Sequence, residues 1–178
     1  IMPLGAFKAA LMGTAGVSAA GDVVLLSTQT ASDSSSLDFT SGITSTYGEY
    51  IFKFYNINPA TNSATFKFQA GSSYNETITS TSFYAEHNEA DSVTGLAYDT
   101  GFDQAQGTAF QDITANIGNG ADEAAAGTLH LFNPSSTTYV KHWYARTNCY
   151  YIDDRSVELD TAGYFNTTSA LTQVQFKM

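Results

Sequence analysis

A chain of 178 residues with 43% hydrophobic and 13% aromatic content has material for one packed domain plus an arm, which argues against disorder along its whole length. Only 13% of it is charged, against roughly 25% in ordinary soluble proteins, and Ser, Thr, Asn and Gln fill the polar positions instead. The formal net charge of −10, from 17 acidic and 7 basic residues, argues against a nucleic-acid partner, because too little Lys and Arg is present to displace counterions from phosphate.

Residues 1–21 (IMPLGAFKAALMGTAGVSAAG) are rich in Ala and Gly and show no strand pattern. Leu4, Phe7, Leu11 and Met12 fall at helical spacing, with Pro3 near a helix start and Gly13 near its end. The preferred reading is an extended or partly helical arm that orders on a partner and anchors through those four side chains. A secretory signal peptide cleaved after Ser18-Ala19-Ala20 competes with it, but Lys8 sits inside the apolar stretch and Gly13 and Gly16 break it. A plain disordered terminus is the third reading. No run approaches the ~20 apolar residues that span a bilayer, so membrane insertion is not expected.

Val23–Gln29 reads as the first strand of a domain over residues 22–178, followed by the polar loop Thr30–Ser36. In Tyr47–Ile57 the side chains of Tyr50, Phe52 and Phe54 share one face and Ile51, Lys53 and Tyr55 the other. Asn58–Ser63 is a turn, and in Ala64–Ala70 Phe66 and Phe68 alternate with Lys67 and Gln69. The two runs are expected to pair as a hairpin with an aromatic inner face and outward lysines. Glu76–Phe83 is a Thr/Ser-rich strand, and residues 84–126 look irregular, a functional or partner-facing insertion.

The last fifty residues are the most regular. Leu129 and Leu131 alternate with His130 before the break at Asn133-Pro134. Tyr139, Lys141, Trp143 and Ala145 line one face of the next strand, and Val140, His142, Tyr144 and Arg146 the other. Val174, Phe176 and Met178 repeat the period, and the strand they form is expected to be incomplete at Met178. Short strands separated by turn residues predict an all-β, jelly-roll-type antiparallel β-sandwich with an N-terminal arm.

Several segments carry a family resemblance: Leu129–Phe132 with Asn133-Pro134-Ser135 and Tyr139–His142, Ala162–Ala170 (AGYFNTTSA), Asn75–Thr81 and Gly118–Glu123. Over roughly residues 45–178 the chain resembles a β-sandwich family of virion and tail-associated proteins from marine tailed bacteriophages that infect cyanobacteria and other ocean bacteria. The resemblance implies a structural protein of the virion, assembled in the host bacterial cytoplasm, and assigns no active site. An accessory head decoration, a fibre subunit or a tail-associated subunit would fit, contacting itself as a homotrimer and other virion proteins.

Candidate chemistry is sparse. The chain has no H-E-x-x-H, C-x-x-C or G-x-S-x-G, so no catalytic residue or cofactor is predicted. His130, His142 and Cys149 could meet across strands as metal ligands, yet strand histidines are more often surface groups, and no metal is expected. Cys149, the single cysteine, reads as a small buried hydrophobe. Glu86, Glu89 and Asp91 offer a carboxylate pair for glycoside cleavage, against an ordinary acidic loop. Asp99, Asp103 and Asp153-Asp154 lack the alternating pattern of a calcium loop. Trp143, Tyr144, Tyr150, Tyr151 and Tyr164 are an aromatic reserve for subunit packing or for stacking on sugar rings. The functional alternative to a scaffold is therefore an adhesin that binds host-surface carbohydrate.

Overall fold

The computed structural model describes residues 23–178. Within them the two-residue period becomes eleven strands: β1 (Ser36–Phe39), β2 (Glu49–Ile57), β3 (Lys67–Ala70), β4 (Ile78–Asn88), β5 (Thr94–Tyr98), β6 (Ala105–Gly107), β7 (Gln111–Asp112), β8 (Ala125–Phe132), β9 (Lys141–Tyr151), β10 (Arg155–Phe165) and β11 (Val174–Lys177). Every pairing is antiparallel. One sheet has the order β1-β11-β3-β7; the larger runs β2-β8-β9-β10-β4-β5, with β6 also against β4. Without the β9–β10 hairpin, the larger order becomes β2-β8-β4-β5 facing β1-β11-β3-β7, which are the two halves of a jelly roll. The hairpin, paired along all of Arg155–Phe165, widens one half. The fold is thus the jelly-roll-type sandwich that the sequence pattern predicts.

Phe176 of β11 is the hub of the core. Its ring meets Phe54 at 5.1 Å, Phe52 at 5.2 Å and Phe66 at 5.6 Å between centroids. Beside it Phe68 packs edge-on against Trp143 at 4.9 Å and Phe165 at 5.8 Å. Trp143 lies over Gly163: a Cβ there would sit 2.5 Å from the Thr79 carbonyl oxygen and 2.9 Å from the indole, so only glycine fits.

Three expectations need correction. The first is the pairing of Tyr47–Ile57 with Ala64–Ala70. β2 pairs β8 and β3 pairs β11, so Phe54 and Phe66 meet across the sandwich at 5.1 Å instead of along a hairpin. A bulge between Phe54 and Ile57, with Asn56 at φ 51°, turns the chain, and the linker then docks elsewhere. Asn58 Nδ2 donates to the carbonyls of Gly120 and Glu123, and the Ser63 amide donates to Ile117. Phe52, Phe54, Phe66 and Phe68 are nonetheless buried or half-buried, with Lys53 exposed and Lys67 paired to Asp112 at 3.2 Å.

The second correction concerns Val23–Gln29, which forms no strand; the sandwich begins at Ser36. A strand needs a partner with free backbone groups, and the neighbouring edge is the short β1. The Gln29 side chain reaches that edge, donating to the Asp38 carbonyl at 2.7 Å.

The third concerns residues 84–126. β4 continues to Asn88, and β5 folds back on it through a turn in which Asn88 Oδ1 accepts from the amides of Ser92 and Val93. Buried glutamines then hold the chain where no period is visible. Gln111 accepts from the Ser80 hydroxyl at 2.7 Å and donates to the Phe102 carbonyl, while Gln69 donates to the Glu76 carbonyl. Ile113, Ala115 and Ile117 are buried and prolong the small sheet past β7 through bonds of Ile113 to Phe66 and of Ile117 to Ala64.

Candidate binding face

β9 has the predicted alternation: Lys141, Trp143, Ala145, Thr147 and Cys149 are buried, and His142, Tyr144, Arg146 and Asn148 are exposed. Tyr139 departs from the expectation, since it lies ahead of the strand and is exposed, with its carbonyl accepting from Lys141 Nζ at 2.8 Å. Lys141 also donates to the Thr167 carbonyl at 3.1 Å. Burial holds its ammonium below the usual lysine range, against a smaller upward pull from Glu76.

The outer face of the large sheet can be read row by row from the strand register. Ile51, His130, Tyr144, Ala162 and Thr81 form one row, and Lys53, Thr128, Arg146, Asp160, Phe83 and Tyr98 the next. Tyr144 stacks on His130 with centroids 4.5 Å apart and planes at 12°. His130 is in turn fixed by Glu49, with Nδ1 and Oε1 2.7 Å apart. Phe83 is 46% exposed although it is aromatic, while Ser80 and Ser82 on the same strand are buried. The middle of β4, between the inward Ile78 and Tyr84, therefore inverts the ordinary polarity of a strand, hydroxyls inward and a ring outward, because Ser80 serves Gln111 and Ser82 meets Thr161.

Between Tyr144 and Phe83 lies a depression of about 230 Å³, lined also by Thr81, Asp160 and Ala162. Ala162 gives it a low floor. Asp160 makes no side-chain hydrogen bond among the described residues, and Arg146 Nε is 3.8 Å from it. Burial raises its carboxyl above the ordinary range; Arg146 pulls it down and Glu158 pushes it up. A second, larger groove of about 460 Å³ opens at the Tyr150 end of β9 and β10, with His87, Glu89, Asp122, Asn148 and Ser156 on its walls. There Tyr150 donates to Asp154 at 3.0 Å, and this bond, with partial burial and the nearby Glu89, pushes its phenol up to about 12. Arg155 bonds Asp153 and Glu86, the latter at 2.7 Å, and lies over the Tyr151 ring.

The aromatic reserve divides. Trp143 leaves the surface set: at 2% exposure it is a core residue, because β9 turns its odd-numbered side chains inward. Tyr144 and Tyr164 stand on the outer face, Tyr164 beside His142 at 5.8 Å, and Tyr150 borders the groove. The three postulated metal ligands do not converge, since His130 and His142 face outward and Cys149 inward, where burial pushes its thiol up to about 12. Among the described residues no group of three or more His, Cys, Asp or Glu could hold a metal ion. Glu86, Glu89 and Asp91 go to different partners: Arg155, the Tyr150 groove and His87. Asp99 caps its own turn through the Gly101 amide, and Asp103 accepts from the Tyr98 hydroxyl. The predicted anchors Leu4, Phe7, Leu11 and Met12 lie outside the described residues.

Phe83, Asp160 and Ala162 escape a reading for apolar alternation, which assigns an aromatic inward and small polar residues outward. The signal that finds them is register counted from Trp143 across the β9–β10–β4 pairings. No family model, curated protein or solved structure matches the chain.

Proposed function

We propose that this chain is a non-enzymatic structural subunit of a tailed-phage virion, an accessory head decoration, fibre or tail-associated protein held in place through its N-terminal region. The observation that carries the reading is Val23–Leu26. These four consecutive apolar residues are 48–82% exposed and belong to no sheet of their own chain. Fully burying a Val or Leu side chain is worth about 1.5–3 kcal/mol, so such a run gains most by being covered by another chain. Other support comes from the resemblance of residues 45–178, from a chain only 13% charged, and from interior polar groups that serve the fold. Lys141, Gln69 and Gln111 are all buried and bonded to backbone carbonyls. The subunit would assemble in the bacterial cytoplasm and contact copies of itself, with a homotrimer as the expected state, together with other virion proteins.

Light scattering of the purified chain at micromolar concentration, together with a density map of purified particles, tests the reading. The expected result is a mass of several chains and ordered density for the sandwich at symmetric positions. A monomer that is also absent from the particles overturns it.

A further inference from the structure

We infer that the depression between Tyr144 and Phe83 on the outer face of the large sheet binds a single neutral hexose ring of a surface glycan. This stands apart from the structural role, because it rests on the middle of the sheet and not on the N-terminal segment.

Tyr144 is held from one side by a chain of two groups: Glu49 fixes His130 at 2.7 Å, and His130 stacks on the tyrosine at 4.5 Å with planes 12° apart. The ring is therefore oriented before any ligand arrives, and so little side-chain entropy remains to be lost on binding. The second ring lies on the strand after next and one row along, about 12 Å away by strand spacing and rise per residue. That second ring, Phe83, is the outward aromatic of a strand whose inward positions include the buried Ser80 and Ser82. A sugar ring presents apolar C–H faces and polar edges, and two rings flanking a shallow floor suit the faces.

The edges need acceptors and donors. Asp160 rises from the floor with no hydrogen bond of its own among the described residues, so both its oxygens can accept from sugar hydroxyls. Thr81 stands at the rim, where its hydroxyl donates to the Ala162 carbonyl at 3.4 Å and can still accept from a sugar hydroxyl. Ala162 keeps the floor low enough for a ring to lie between the flanks. At about 230 Å³ the depression falls below the 300–1,000 Å³ of drug-sized pockets, which restricts it to one ring of a longer chain.

Charge selects among sugars. Asp160 and its neighbour Glu158 outnumber Arg146, which is already paired with Glu158. A uronic or sialic acid would bring its carboxylate toward this excess of negative charge, so the fitting occupant is uncharged. The alternative occupant of two exposed rings is an apolar side chain of another protein. The Asp160 carboxylate on the floor disfavours it, because an apolar cover would take that charge out of water with only Arg146, 3.8 Å away and shared with Glu158, to balance it.

The test uses the whole chain and a panel of methyl glycosides (glucose, galactose, mannose, N-acetylglucosamine and glucuronic acid) followed by saturation-transfer NMR. At least one neutral glycoside should receive saturation through its ring C–H protons, while the glucuronide should not. Tyr144→Ala and Phe83→Ala should each weaken that binding about tenfold, with Tyr144→Phe retaining it. Asp160→Asn should also weaken it, with an unfolding midpoint like that of the parent. Absence of transfer from every neutral glycoside overturns the inference. So does binding that survives both alanine variants, or a drop in oligomeric mass in Tyr144→Ala, which would make the depression a protein contact.

Discussion

Trp143 and Tyr144 are consecutive residues of β9, yet one is 2% exposed and the other 42%. The indole is defined by lack of room, lying over Gly163 and against Phe68. The phenol is defined by what remains open, with one ring face on His130 and the other over the depression. The same contrast runs the length of the strand. Inward polar groups are spent on the fold: Lys141 on two carbonyls, and Thr147 on the carbonyl of Ile113. Trp143 Nε1 is the exception, buried without a hydrogen-bond partner among the described residues, which marks the ring as chosen for shape. Outward, the Tyr144 hydroxyl has no hydrogen-bond partner among the described residues and keeps that capacity for something outside the chain. One strand thus holds a finished interior and an unfinished surface, separated by one residue.

If that contrast is right, the largest losses belong to the inward file and its neighbours. Phe68→Ala and Trp143→Ala should each cost about 3–5 kcal/mol in urea unfolding followed by circular dichroism, as should Phe54→Ala on the facing side of the hub. Trp143→Phe should cost far less than Trp143→Ala, because it keeps most of the packing and removes the orphaned N–H. A Phe variant as damaging as the Ala variant would mean that the indole nitrogen has a partner after all.

Lys141→Met comes next. It leaves the carbonyls of Tyr139 and Thr167 without their donor, a loss of about 1–3 kcal/mol, partly offset by no longer burying an ammonium. The pH dependence carries the sharper sign. Burial holds the folded-state pKa below the ordinary lysine value of 10.5, so the unfolded chain binds this proton more tightly. The parent's stability should therefore rise relative to Lys141→Met as pH climbs through the window between the folded pKa and 10.5, and the contribution is lost as pH falls through that folded pKa. A pair of unfolding curves that stay parallel across the alkaline range would show the ammonium to be unperturbed. The comparison with the variant is needed because Tyr150, raised to about 12, moves the parent the opposite way above the ordinary tyrosine pKa of 10.0.

The same two faces explain which parts of the fold the residue order reveals. β8 and β11 have apolar residues at every second position, and β9 sets Trp143, Ala145 and Cys149 on one file, so these inward files are legible from alternation. The partner of β2 is not legible, because β3 has the same aromatic alternation and follows after a turn; the bulge after Phe54 and the docking of Asn58 on the carbonyls of Gly120 and Glu123 send the chain across the sandwich. Residues 100–112 hide for another reason, since buried side chains such as Gln69 and Gln111 hold them in place and these leave no period. The candidate site is half legible. Tyr144 follows from alternation, whereas Phe83 requires knowing that Ser80 and Ser82 are committed to buried partners.

The smallest effect on stability, and the largest on assembly, belongs to the other apolar run of the molecule. Val23–Leu26 are as hydrophobic as the strand cores, yet no sheet takes them up, and Gln29 on the Asp38 carbonyl is the tether beside them. Fixing such a segment costs about 1–2 kcal/mol per residue in backbone entropy, so it should be ordered where a neighbour covers it. Replacing Val23, Val24, Leu25 and Leu26 together by Ser should change the unfolding free energy of the isolated sandwich by no more than about 0.5 kcal/mol, as expected for surface positions. The weight-average mass in sedimentation should fall to that of a single chain. A loss of several kcal/mol would place the segment on its own sandwich, where it would behave like Trp143. An unchanged mass with unchanged stability would move the intersubunit contact elsewhere, and the free edge of β2, with Ile51 and Tyr55 exposed beside it, is the next surface to alter.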